Sequence, residues 1–210
     1  MADPIPVDSM IETAPEPGRR ERKKQATRDE LMTHAARLFA ERGFDAVTTS
    51  DIAEAADVSQ RTFFRHFESK EAVLYGRSDE MWTEIEAAFR ARPAGESVID
   101  SVVAALSVIG QAYEADPDMT YLQARLAAGY PAVAAYARAV VQTRWERGLT
   151  ALISERMGVD SSIDPRPEII AGATFSAFRA AIRRWSTEQG RRPFADLLDE
   201  SLDGLSRLAG

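Results

Sequence analysis

Cysteine is absent from this 210-residue chain, which excludes disulfides, thiolate metal sites and a thiol nucleophile. Histidine is almost absent. His34 and His66 are the only two, and their separation does not suit a shared metal. There is no glycine-rich phosphate loop and no nucleophile elbow. Carboxylates abound, but neighbours such as Glu84 and Glu86 do not share a helix face. The chain therefore reads as a non-enzyme, with no metal or cofactor. No run of about 18 apolar residues occurs, so no membrane span is expected. Asp3, Asp8, Glu12 and Glu16 precede every basic residue, the wrong charge order for a secretory signal. The expected location is cytoplasmic.

What is present is an ordinary globular composition, 45% hydrophobic and 28% charged. The net charge of −7 argues against indiscriminate nucleic-acid binding, but its distribution is uneven. Residues 1–18 hold four acids and no base, residues 19–80 hold 12 of each, and residues 81–210 hold 14 bases and 17 acids. The middle block contains Arg19, Arg20, Arg22, Lys23, Lys24 and Arg28, together with Lys70, the last of only three lysines. A phosphate-facing surface belongs there.

Prolines 4, 6, 15 and 17 and Gly18 mark residues 1–20 as a disordered arm. Helical periodicity starts near Arg22, with Leu31, Ala35, Leu38 and Phe39 on one face and Gly43 as the stop. Thr48, with Asp51 three positions on, caps a short helix; Ser59 caps another, from Gln60 to about Phe67. Ser69 opens a long helix through Met81, Ile85 and Phe89. Further helices are expected over Ser97–Glu114, Asp118–Ala128, Ala132–Arg156, Glu168–Glu188 and Phe194–Leu208. No stretch alternates with period two. The expectation is an all-α protein of about nine helices: an N-terminal three-helix helix-turn-helix unit (21–68) and a larger helical ligand-binding and dimerisation unit (69–210).

A helix followed by two short helices across a tight turn is the layout that sets a recognition helix into the major groove. The run from Gly43 to Leu74 is similar to the N-terminal domain of TetR-family repressors. Gly43-Phe44, Thr48-Thr49, Ile52-Ala53, Ala56, Val58-Ser59, Thr62, Phe67 and Lys70-Glu71 carry the resemblance, at continuous spacing without gaps. It implies that Gln60, Arg61 and Thr62 meet base edges, with Arg61 suited to guanine. Ser50 reaches a base, and Thr49, His66 and Lys70 bind phosphate. Thr48 and Ser59 serve as caps, phosphate contacts or both. Lys23 and Lys24 lie along the backbone or enter the minor groove. Two positions depart from the family pattern: Asp57 stands where glycine is usual, and Phe64 stands where tyrosine is usual, keeping the ring without the phosphate-binding hydroxyl.

For the larger unit, the resemblance implies an effector pocket and a dimer interface. Met81, Ile85, Phe89, Ile109, Tyr113, Leu122, Leu126, Tyr130, Trp145 and Phe178 are the pocket candidates, and their character points to a small apolar effector. Phe175, Ala181, Ile182, Trp185, Leu198, Leu202 and Leu205 are the dimer candidates. Both sets would also serve as plain monomer core. Arg144-Trp145-Glu146-Arg147, Pro165-Arg166-Pro167 and Arg183-Arg184-Trp185 resemble mycofactocin-associated family members, which bind acyl-CoA thioesters. The resemblance as a whole implies a homodimeric, ligand-responsive repressor on double-stranded, palindromic operator DNA. An activator of the same fold and a helical interaction protein without DNA are the alternatives.

Overall fold

The computed structural model describes residues 18–208, with the side chains of 205–208 left aside. Every element among them is helical. They are α1 (Arg19–Arg42), α2 (Thr49–Ala55), α3 (Gln60–His66), α4 (Lys70–Leu74), α5 (Ser78–Arg90), α6 (Val98–Ala115), α7 (Pro117–Gly129), α8 (Pro131–Tyr136), α9 (Thr143–Met157), α10 (Arg166–Thr187) and α11 (Phe194–Leu208). A π-helical segment, Ala137–Gln142, joins α8 to α9. The arm expected over 1–20 falls mostly outside the described residues; Arg19 and Arg20 already belong to α1.

The short helices are set by local chemistry. At α2 a capping box forms: the Asp51 amide donates to Thr48 Oγ1 at 3.1 Å, and the Thr48 amide donates to Asp51 Oδ2 at 2.8 Å. The Thr62 amide donates to Ser59 Oγ at 3.1 Å, and that of Ala72 to Ser69 Oγ at 3.2 Å. Each cap is worth about 1 kcal/mol to a helix too short to stand alone. Asp57 makes the turn between α2 and α3 at φ 53°, a left-handed conformation that Asp tolerates better than most side chains.

Two features depart from the periodicity. The long helix expected from Ser69 breaks at Tyr75–Arg77. Gly76 lies so close to α1 that a Cβ there would sit 2.6 Å from Met32 Sδ. The Arg28 guanidinium donates to Gly76 O at 2.7 Å and to His66 O at 2.9 Å, and lies 4.3 Å from the centre of the Phe67 ring. The broken turn's free carbonyl is thus held by a cation from α1. The second departure is the π segment, where Thr143 Oγ1 donates to Arg138 O at 2.9 Å, five residues back. Counting α8, the π segment and α9 as one rod, the described residues form ten rods instead of about nine.

The rods enclose two apolar cores. The first holds Leu31, Phe39, Phe44, Ile52, Phe63 and Phe67 from the small unit, with Ala72, Val73 and Leu74 of α4. Leu122 and Leu126 of α7 and Val133 of α8 complete this core from the larger unit. The second holds Ile85, Leu106, Ile109, Trp145, Leu149 and Phe178, among others. Tyr75 and Tyr136 pack against both cores and stack on each other at 5.8 Å, 21° from parallel. α6 has the length and apolarity of a membrane span, but its Val102, Ala105, Leu106 and Ile109 are buried in the second core. Close approaches need glycine at Gly148, under Trp82, and Gly110, under Phe194; a Cβ would meet those rings at 2.2 Å and 2.3 Å.

Candidate nucleic-acid interface

The recognition helix α3 is held from beneath by Phe63, which is fully buried, and by Ile52 and Ala53 of α2. Gln60 Nε2 donates to Thr49 Oγ1 at 3.0 Å and ties the starts of α2 and α3 together. The outward face presents Ser59, Gln60, Arg61, Phe64 and Arg65, with Ser50 of α2 beside them. Thr62 is half-buried and its hydroxyl lies 2.9 Å from that of Ser59. Phe64 is 52% exposed, although it packs edge-on against Phe63. A hollow of about 420 Å³ opens between the two helices, lined by Ser50, Glu54, Asp57, Ser59 and Gln60.

Arg65 was not among the expected contacts. It stands four residues after Arg61, which sets both guanidinium groups on one face. That spacing was its only signal. Neither arginine has a carboxylate partner among the described residues. Lys23 is exposed, and Lys24 pairs with Glu21 at 3.2 Å.

Two expected phosphate ligands sit elsewhere. Both ring nitrogens of His66 are enclosed without a hydrogen-bond partner among the described residues. Burial, then the cations Arg65, Arg28 and Lys24, pushes its pKa below the ordinary histidine value. Lys70 Nζ donates to Phe44 O at 2.8 Å and to Val47 O at 3.1 Å, and lies 4.2 Å from the centre of the Phe44 ring. Two of its three N–H groups therefore stitch α4 to the loop after α1.

In the larger unit the pocket candidates divide. Met81, Ile85, Phe89, Ile109, Tyr113, Trp145 and Phe178 meet in or against the second core. Leu122, Leu126 and Tyr130 do not join them. They cover the first core, with the Tyr130 ring 5.3 Å from that of Phe44. Burial drives the Tyr113 hydroxyl pKa well above the ordinary tyrosine value. The dimer candidates divide as well. Phe175, Ala181, Trp185 and Leu198 are buried in their own chain's core, while Ile182 and Leu202 are half-buried against it. The side chain of Leu205 lies outside the described residues. The faces that α10 and α11 turn outward instead carry Ile169, Ser176, Arg183, Arg184, Glu200 and Asp203.

An arginine-bearing short helix, scaffolded by two others and mounted on an all-helical body, defines a helix-turn-helix DNA-binding regulator. Residues 31–75 match the family described as "Bacterial regulatory proteins, tetR family", and residues 96–209 match "MftR C-terminal domain". The chain belongs to the TetR family of transcriptional regulators, which are not enzymes. The HTH-type transcriptional regulator TcmR of Streptomyces glaucescens is 34% identical over 176 residues, covering 80% of this chain and 77% of that protein. The putative mycofactocin biosynthesis transcriptional regulator MftR of Mycobacterium tuberculosis is 23% identical over 168 residues, covering 80% and 84%. Among solved structures, the Thermus thermophilus FadR repressor in complex with lauroyl-CoA is similar in fold. Its TM-score is 0.57 at 24% identity, over 85% of this chain and 92% of that one.

Proposed function

We propose that the protein is a homodimeric repressor that leaves a palindromic operator when a small apolar effector, of the acyl-CoA type, binds the larger unit. The observation that carries this reading is the α3 surface, where Arg61 and Arg65 stand exposed and unpaired on a rigid, capped support. Gln60, Arg61 and Thr62 are assigned to base edges. Thr48 and Thr49 at the start of α2 and Ser59 at the start of α3 are assigned to phosphate, which helix N-termini favour, and Ser50 to a base edge. Phe64 supplies an apolar ring suited to a thymine methyl. His66 and Lys70 act from beneath as supports.

The lauroyl-CoA bound to FadR, which shares the fold, supplies a first probe of an acyl-CoA effector. Within the second core, the Met81–Ile85–Phe89 face of α5 is the wall an acyl chain would displace. The signal then passes through the stacked Tyr75 and Tyr136, which touch both cores. The effector must prefer one of the two arrangements, because equal affinity for both shifts nothing.

The test is a footprint on the DNA flanking the protein's own gene, with and without lauroyl-CoA. A protected palindrome that lauroyl-CoA releases supports the whole reading. Protection indifferent to lauroyl-CoA removes the effector assignment and keeps the DNA reading. Absence of any protected site overturns both. Arg61→Ala is expected to cost about 1–3 kcal/mol of discrimination at one base pair.

A further inference from the structure

A buried donor without an acceptor destabilises a fold, so its retention calls for a reason. The second core holds several. Trp185 is 2% exposed and stacks on Tyr121 at 5.1 Å, 24° from parallel. Its Nε1 is enclosed with no hydrogen-bond partner among the described residues, as is the hydroxyl of Ser186 beside it. Tyr75 and Tyr113 pack against the same core, and neither hydroxyl is hydrogen-bonded to another described residue. Burial pushes the Tyr75 hydroxyl pKa up to about 12. Burial first, and then Tyr75 itself, raises that of Tyr113.

These groups belong to one end of the core. Tyr113 stands in the last turn of α6, its ring 6.3 Å from that of Phe178 and 6.2 Å from that of Phe194. Trp185 follows Phe178 by seven residues, two turns along the same face of α10. Tyr75 sits at the break before α5, and its influence on Tyr113 sets the two hydroxyls within electrostatic reach of each other. This end adjoins the small unit. Tyr75 also packs on the first core and stacks on Tyr136, whose hydroxyl faces the Glu68 carboxylate in the loop after α3. From there α5 carries Met81, Ile85 and Phe89 along the core, an advance of about 12 Å. An indole N–H donates and cannot accept. What this end of the core lacks is an acceptor, and an amine would only add donors to it.

We propose that this end of the second core is the polar seat of the effector site, where the Tyr113 and Tyr75 hydroxyls donate to the carbonyl oxygen of an acyl ligand whose tail lies along Met81, Ile85 and Phe89. The seat rests on the acyl-CoA reading of the larger unit and adds which ligand atom is recognised, and by which groups. A thioester carbonyl accepts hydrogen bonds and has no hydrogen to donate, which matches the deficit. It is also uncharged. A free carboxylate would accept as well, but it would carry an unpaired charge into an apolar site. Because Tyr75 is stacked on Tyr136, a ligand that draws on the Tyr75 hydroxyl acts directly at the junction of the two cores.

The experiment is a cycle between ligand and protein, read by calorimetry on the full chain. The ligands are lauroyl-CoA and S-dodecyl-CoA, a thioether of the same chain length without the carbonyl oxygen. Tyr113→Phe keeps the ring and removes the hydroxyl. Loss of the carbonyl is expected to weaken binding to the wild type by about 5- to 20-fold, and Tyr113→Phe to weaken lauroyl-CoA binding by a similar factor. The two losses should not add, so that Tyr113→Phe binds both ligands alike. Tyr75→Phe is expected to narrow the difference between the ligands in the same way, and wild-type discrimination in that variant overturns the paired seat. Removing a hydroxyl that has no partner in the free chain should leave the ligand-free urea midpoint unchanged or raise it. A lower midpoint, as loss of a structural hydrogen bond or a bridging water would give, overturns the proposal. A wild type that binds the two ligands alike, or a Tyr113→Phe variant that weakens both equally, overturns the seat and leaves the acyl-CoA reading standing. Failure of the wild type to bind either ligand overturns both.

Discussion

The enclosed ring of His66 carries a consequence for stability. In the folded chain, burial and the neighbouring Arg65, Arg28 and Lys24 oppose its protonation, so its pKa lies below the ordinary histidine value of 6.5. The unfolded chain carries no such opposition and binds the proton first as pH falls. Stability therefore rises with pH through this window, and it drains away as the solution is acidified below about 6.5. Urea midpoints at pH 7.5 and 5.5 are expected to differ more for the wild type than for His66→Gln. Equal differences would show that His66 does not carry the slope. Thr48 offers a second test. Thr48→Ala removes the capping box, and about 1 kcal/mol of urea stability is expected to go with it, with Thr48→Ser restoring most of the loss. Caps such as Thr48, Ser59 and Ser69 were legible in the sequence because donor and acceptor lie three residues apart. Lys70 was not, because the carbonyls it serves are 26 and 23 residues away.

At the scale of elements, periodicity reports which face of a helix is apolar and says little about where a helix stops under tertiary load. The apolar positions from Val73 to Phe89 read as one helix. The chain breaks at Tyr75–Arg77 because Gly76 must pass Met32 and Arg28 captures the carbonyl left over. The π segment gave no sequence signal, since its residues Ala-Arg-Ala-Val-Val-Gln suit an α-helix equally well. Close packing between elements can be tested at Gly148, where α5 and α9 meet. A Cβ there would lie 2.2 Å from the Trp82 ring, so Gly148→Ala must push a large aromatic group out of its seat. The expected cost is about 1–3 kcal/mol in urea, with a change in tryptophan emission. Trp82→Ala is expected to absorb most of the penalty, so the double variant is less destabilised than the sum of the singles. Strict additivity would mean that the two residues do not contend for the same space.

For the whole molecule, the all-α architecture and the helix-turn-helix position were legible, because binary patterning and turn chemistry are local. The partition of apolar stripes between self and partner was not. Leu122 and Leu126 look no different in sequence from Ile85 and Ile109, yet they line a different core. Phe175, Ala181, Trp185 and Leu198 similarly turn inward, so the homodimer proposed above would have to use the outer faces of α10 and α11. There a hollow of about 530 Å³ is bordered by Ala180, Arg184, Glu200, Ser201, Asp203 and Gly204. Within the chain, Arg184 of α10 already pairs with Glu200 of α11 at 2.8 Å. Ala180→Glu adds a carboxylate close to Glu200 and Asp203 and is expected to convert a sedimenting dimer into a monomer without lowering its melting temperature appreciably. Affinity for a duplex carrying one half-site should stay within about twofold, because α3 is untouched. Affinity for the full palindrome should fall by more than about tenfold, because two recognition helices no longer bind as a linked pair. A variant that remains dimeric with full operator affinity would place the subunit contact elsewhere. Phe175→Ala supplies the contrast: its ring lies in the chain's own core, so it should cost about 3–5 kcal/mol of stability, a loss that Ala180→Glu should not reproduce.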